Sequence, residues 1–180
     1  MALPLESYPV IGFVGWSGSG KTTLLKEIVR RLREQGRKVA VIKHAHHSFD
    51  VDHPGKDSYE LRHAGARKVL VASRLRWALM VETPEGEEPD LGKLLTIVGQ
   101  DPPDLILVEG FKRFPYPKVE VYRPSLGLPP LYSKDPHVVA VASPSPEREL
   151  PAGVTWLNLN EPQEVLAFIE RRLKDRVVPS

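Results

Sequence analysis

Apolar residues fall into two spacings along this chain. Short, nearly continuous apolar runs occur in YPVIGFV (8–14), KVAVI (38–42), KVLVA (68–72), DLILV (104–108) and VVAVA (138–142). Such runs suit strands covered on both faces, and together they predict a parallel central sheet. Between them the period becomes helical. Leu24, Leu25, Ile28, Val29 and Leu32 form one stripe that Gly36 can terminate, and the segments 56–66 and 90–100 have the same character, with Gly65 and Gly99 near their ends. A closing helix is predicted from NEPQ, where Asn160 can cap, Pro162 suits the first turn and Gln163 completes a capping box before Val165, Leu166, Ile169 and Leu173.

Two stretches fit this alternation less well. RWALMVE (76–82) reads as an additional strand beside 68–72. Residues 111–136 are polar, aromatic and proline-rich around one strand, KVEVY (118–122), and read as an insertion carrying specificity or contacts. A chain of 180 residues fits one domain over 1–180, with an α/β architecture and a small β-rich insertion.

The first strand runs into GWSGSGKT (15–22), which places Gly15, Gly20, Lys21 and Thr22 at the spacing of a phosphate-binding loop. Strand, glycine loop and helix in that order predict a P-loop NTPase-type fold of three layers with a mainly parallel central sheet. Glycines at 15, 18 and 20 let backbone N–H groups approach phosphate oxygens, Lys21 supplies a point charge, and Thr22 supplies a hydroxyl for Mg²⁺. Ser17, Ser19 and Thr23 are supporting donors.

Composition narrows the class. The net charge of +2 comes from nearly balanced totals, so no electrostatic footprint for nucleic acid or an anionic membrane is expected. Cysteine is absent, which excludes disulfides and thiolate ligands. No signal peptide is evident, and no stretch approaches the ~20 apolar residues of a membrane span, so a cytoplasmic location is expected.

Ligands of open α/β sheets gather at the carboxyl ends of strands. Two such ends are rich in chemistry. KHAHHSFDVDHPGKDS (43–58) holds four histidines and three aspartates, and DLILVEGFKRF (104–114) ends its strand in Glu109. Glu109 is the candidate Mg²⁺ anchor or water-orienting carboxylate, whereas Asp104 precedes the strand and falls at the wrong edge. Asp50 and Asp52 alternate with Phe49 and Val51, and Asp50 is the preferred second candidate for the metal. Without cysteine or helical ligand spacing, His44, His46, His47 and His53 suit hydrogen bonding or the surface better than a transition-metal site.

Three segments, GWSGSGKTTLL, VIKHAHHSFDVDHPGKDSYELRHAGA and LILVEGFKRFPYPKVEV, together resemble the molybdopterin-guanine dinucleotide biosynthesis protein B family, often called MobB, over about residues 9–123. The resemblance implies a GTP-binding protein with weak GTPase activity. It implies a homodimeric adapter for the molybdenum cofactor guanylyltransferase, which converts molybdopterin cofactor to its guanine dinucleotide form. By position it implies that Gly15 to Thr23 hold the phosphates, Thr22 the Mg²⁺, and that Asp50 and Glu109 lie near the metal and γ-phosphate, with the 44–58 loop responding to nucleotide or contacting molybdopterin cofactor. Guanine preference rests on the resemblance alone, because the Asn-Lys-X-Asp signature is missing and ASPSPE (142–147) holds the base-side position without it. Two alternatives stay open: a P-loop small-molecule kinase, for which Arg113 and Arg123 could serve a lid, and a metal-delivery GTPase drawing on the histidines.

Overall fold

The computed structural model describes residues 7–45, 49–84, 87–147 and 149–176. The chain divides into two compact units, one formed by residues 1–44 with 90–180 and the other by residues 45–89.

The larger unit is built on six parallel strands: β1 (Val10–Val14), β2 (Val39–Lys43), β5 (Leu105–Glu109), β6 (Lys118–Val121), β7 (Val138–Ser143) and β8 (Thr155–Asn158), in the order β2-β5-β1-β6-β7-β8. Strand β1 lies inside the sheet, with Phe13 beside Glu109 on β5 and beside Val119 on β6. Every residue of β1 is buried, as its unbroken apolar run requires. One sheet face is covered by α1 (Lys21–Glu34) and α4 (Pro162–Arg176), through Leu24, Leu25, Ile28 and Leu32 of the first and Val165, Leu166 and Ile169 of the second. The other face packs Leu91 and Leu95 of α3 (Leu91–Val98) against Val10, Ile106, Val108, Phe111 and Tyr116. Asp90 caps α3 by accepting from the N–H groups of Gly92 (2.8 Å) and Lys93 (3.2 Å). This is the three-layer, mainly parallel α/β fold expected from the sequence.

The smaller unit contains α2 (Asp57–His63) and the antiparallel pair β3 (Lys68–Ala72) and β4 (Trp77–Val81), in register Lys68 to Val81. The expected pairing of these strands is present, but the assignment of 68–72 to the central sheet is corrected. Its apolar run serves a separate two-stranded sheet in which only Val69 and Met80 are buried.

Three further differences have physical causes. The 118–122 strand, placed by the sequence within an insertion, is β6, an inner strand of the main sheet between β1 and β7. Its alternation of charge and apolarity suggests one wet face, yet Lys118 and Glu120 are fully buried. Segment 131–135 covers them: the Glu120 carboxylate accepts from the N–H groups of Leu131 (2.8 Å) and Tyr132 (2.8 Å), and Lys118 pairs with Asp135 (2.7 Å). Strand β8 is an element that TWLN does not announce, because its single buried residue, Leu157, leaves little periodic signal. Finally, α4 starts at Pro162, which puts Glu161 rather than Asn160 at the cap, and Gln163 turns its amide oxygen to Arg31 (2.9 Å) instead of closing a capping box. Among the described residues, no helix is long and apolar enough to cross a membrane.

Candidate phosphate and metal site

The loop between β1 and α1 has the backbone that its glycines permit. Gly15, Gly18 and Gly20 all have positive φ, at 145°, 79° and 101°. At Gly15 the constraint is also spatial, since a Cβ there would stand 2.4 Å from the Val121 carbonyl oxygen. Gly20 is the N-cap of α1 in left-handed conformation and contributes no side-chain cap, so the first N–H groups of a 14-residue helix face the loop without a side-chain acceptor. An anion suits that position.

Lys21 arches back over the loop and donates to the carbonyls of Gly15 (3.0 Å) and Trp16 (2.8 Å). Burial lowers its pKa below the ordinary lysine value, the Glu109 carboxylate opposes that shift, and Lys112 and Lys43 add to it. Lys21 thus sits in a field of one carboxylate, Glu109, and two further ammonium groups, Lys43 and Lys112. Arg123 adds a fourth cation, donating through Nε to the Ser19 carbonyl at 2.9 Å. Lys112 also lies 4.8 Å above the Trp16 ring, whose indole N–H donates to the Pro129 carbonyl at 2.7 Å and ties the loop to the segment after β6.

Glu109 ends β5 beside β1, which brings its carboxylate within 3.3 Å of the Thr22 hydroxyl. Its side chain is only 12% exposed, with Lys43 at 3.9 Å. A hydroxyl and a carboxylate this close are hard oxygen donors of the kind Mg²⁺ takes alongside phosphate and water. Among the described residues, no group of three or more His, Asp or Glu could hold a metal ion. Thr22 and Glu109 are the two side chains here that could offer hard oxygen ligands to a Mg²⁺ shared with phosphate oxygens.

The remaining candidates are distributed as follows. Ser17 is exposed at the loop, and Thr23 is exposed on the first turn of α1. Ser19 is buried, its hydroxyl without a hydrogen-bond partner among the described residues. Asp50 belongs to the smaller unit, where its carboxylate accepts from Arg62 (2.6 Å) and is held down to about 2 by that guanidinium. Arg62 also pairs with Asp52 and with Glu82 (2.7 Å), so the two alternating aspartates share one cation. Asp104 braces the opposite end of β5 by accepting from the Lys38 N–H at 2.7 Å, in line with its exclusion from the site. His44 stacks on Phe111 at 4.6 Å, while His46 and His47 lie outside the described residues. Arg123 is the residue that sequence reasoning undervalued. It follows an inner strand, and the strand-end rule would have found it had 118–122 been placed in the sheet.

Comparison with known proteins adds an independent line. Residues 10–144 match the family described as "Molybdopterin guanine dinucleotide synthesis protein B". The chain is 47% identical over 162 residues to the molybdopterin-guanine dinucleotide biosynthesis adapter protein of Escherichia coli K12, covering 89% of this chain and 91% of that protein. It is 41% identical over 165 residues to the adapter protein of the same name from Haemophilus influenzae, covering 92% and 89%. The crystal structure of a MobB protein homolog from Bacillus stearothermophilus shares the fold with a TM-score of 0.69 at 24% identity, over 93% of this chain and 99% of that one.

Proposed function

The chain belongs to the MobB family of molybdopterin guanine dinucleotide synthesis proteins, and on that premise we propose that it is a GTP-binding adapter. In this reading it assists the molybdenum cofactor guanylyltransferase in converting molybdopterin cofactor to its guanine dinucleotide form, in the cytoplasm. The observation that carries the nucleotide half is the approach of Thr22 to Glu109 at the mouth of a glycine loop ringed by cations. Gly15 to Thr23 bind the phosphates, Lys21 neutralises charge on them, and Thr22 and Glu109 take Mg²⁺, which would supply charge stabilisation at the γ-phosphate. Glu109 is also the candidate for orienting water.

The adapter half is supported by the named relatives and by what the loop lacks. Among the described residues, no Gln or arginine finger is assigned opposite the γ-phosphate position, and such groups raise turnover by ~10³–10⁵. Slow hydrolysis follows, so nucleotide state would act mainly on the 44–58 segment and on partner docking. The purified protein is expected to turn over GTP at well below about one per second, the low end of typical enzymes. It is also expected to co-purify with the guanylyltransferase more strongly with GTP·Mg²⁺ than without nucleotide. Rapid hydrolysis by the protein alone, or a guanylyltransferase that never co-purifies, would move the kinase reading ahead.

A homodimer completes the proposal. A two-stranded sheet is marginal by itself, and β3–β4 exposes Leu70 (60%), Trp77 (64%) and Leu79 (40%). A second copy of the chain is the occupant that a homodimer supplies for this apolar surface. Trp77→Asp with Leu79→Asp should shift the sedimenting species from dimer to monomer at micromolar concentration. A dimer that survives both changes would remove the hairpin from the interface.

A further inference from the structure

Among the described residues, Phe111 is the only non-glycine with a positive φ, at 50°, and it closely follows Glu109 in the chain. Gly110 between them has a φ of 93°, so two left-handed residues in succession lead the chain out of β5. Such a conformation is costly for a residue with a side chain and persists only where the surroundings enforce it. Tyr116 supplies part of that enforcement: its hydroxyl donates to the Gly110 carbonyl at 2.9 Å, and the residue is only 2% exposed. We propose that Tyr116 is a positioning residue for the carboxylate of Glu109, acting through the Gly110–Phe111 turn, and that Mg²⁺ affinity in the nucleotide complex depends on it. The inference rests on the phosphate-loop reading above and deepens it by assigning what aims Glu109 at Thr22.

The turn is held by backbone bonds and by rings. The Gly110 N–H donates to the Phe13 carbonyl of β1 (3.0 Å) and the His44 N–H to the Glu109 carbonyl (2.8 Å), so the backbone around Glu109 is tied on both flanks. The Phe111 ring stacks on His44 at 4.6 Å and meets Phe114 edge-on at 5.5 Å. Room for Tyr116 is made in β1, where a Cβ on Gly12 would stand 2.5 Å from its ring. That close approach accounts for a glycine inside a strand that is otherwise apolar and wholly buried. The Tyr116 hydroxyl is therefore presented by a ring wedged against the central strand, and it grips the peptide next to Glu109. The carboxylate itself has weaker tethers, the Thr22 hydroxyl at 3.3 Å and the exposed Lys43 at 3.9 Å. Its direction is thus set through the backbone, and groups that orient a metal ligand from behind are typically worth about 10–100-fold in metal affinity.

The test is a double-mutant cycle on the full chain with GTP, read by the paramagnetic resonance of Mn²⁺ standing in for Mg²⁺. Tyr116→Phe keeps the ring and removes only the hydroxyl. It is expected to weaken Mn²⁺ binding in the GTP complex about 10-fold, while GTP affinity measured in chelator stays within ~2-fold of native. In the Glu109→Gln background the same change should move Mn²⁺ affinity by less than ~2-fold, because a residue that acts through Glu109 then has no carboxylate to aim. A merely structural role would give the same loss in both backgrounds. Phe111→Leu, which keeps an apolar side chain and loses the stack on His44, repeats the cycle and should give the same pattern. A native protein that binds no GTP, or no Mn²⁺ with it, would take down the phosphate-loop reading and this inference together. With native binding intact, Mn²⁺ affinities within ~2-fold of native in both variants, or losses unchanged in the Glu109→Gln background, would overturn the positioning role alone, as would the failure of both variants to fold.

Discussion

Lys21→Ala is expected to weaken GTP·Mg²⁺ binding by roughly 100-fold or more while leaving the fold in place. Two or three charge-assisted bonds to phosphate are lost, each worth about 1.5–3 kcal/mol, and tenfold in affinity is 1.4 kcal/mol. The lost side chain also braces the Gly15 and Trp16 carbonyls through two part-buried bonds, and their loss should cost about 1 kcal/mol of stability. Binding should also couple to pH. Burial depresses the Lys21 pKa, and an incoming polyphosphate favours the charged ammonium, so the pKa rises on binding. Where the free protein has begun to lose that proton, binding takes one up, and affinity falls as pH increases. Calorimetry in two buffers of different ionisation enthalpy reads both quantities, with circular dichroism as the check on folding. Unchanged affinity in the variant would take Lys21 out of the phosphate site.

Much of this site was legible because it depends on local order. Gly15, Gly20, Lys21 and Thr22 lie within eight residues, and the strand before and helix after them show in their apolar periods. Glu109 was legible for a related reason: a carboxylate ending a continuous apolar run must emerge at a strand's carboxyl end, and β5 proves to be the neighbour of β1. What the sequence hid depends on contacts between distant segments. Arg123 reaches the Ser19 carbonyl across 104 positions, and no local pattern announces that bond.

The two misplaced strands show how composition misleads when burial has an unusual source. KVLVA has the run of a core strand but pairs with a single partner in the smaller unit, where Leu70 and Val71 remain exposed. KVEVY has the alternation of a half-wet strand but is buried on both faces. The difference is that charged side chains can be buried when partners are brought to them. Segment 131–135 brings those partners. It lies within residues 111–136, which read as a proline-rich insertion, so its role was invisible without the fold.

That buried pair carries the largest expected effect on stability. Lys118 is 1% exposed and its ammonium has two acceptors, the Asp135 carboxylate at 2.7 Å and the Lys112 carbonyl at 2.9 Å. Asp135→Ala leaves the ammonium buried with one neutral acceptor, and also removes the carboxylate oxygen that accepts from the His137 N–H. Breaking a buried pair from one side costs about 3–5 kcal/mol, and the low end applies because Asp135 keeps 22% exposure. About 3 kcal/mol in a chain of this size corresponds to a fall in thermal midpoint of about 10 °C. Lys118→Met in the same background should restore a large part of the loss, since the stranded charge is then gone and an apolar side chain of similar length fills its place. The consequence reaches the site, because β6 leads to Arg123 and its Val121 carbonyl faces Gly15. The Asp135→Ala protein should therefore also bind GTP more weakly as it approaches its lowered midpoint. Denaturant melts of both variants decide the matter: Asp135→Ala within about 0.5 kcal/mol of native, or a double variant less stable than the single one, would show that the pair does not hold β6 in the sheet.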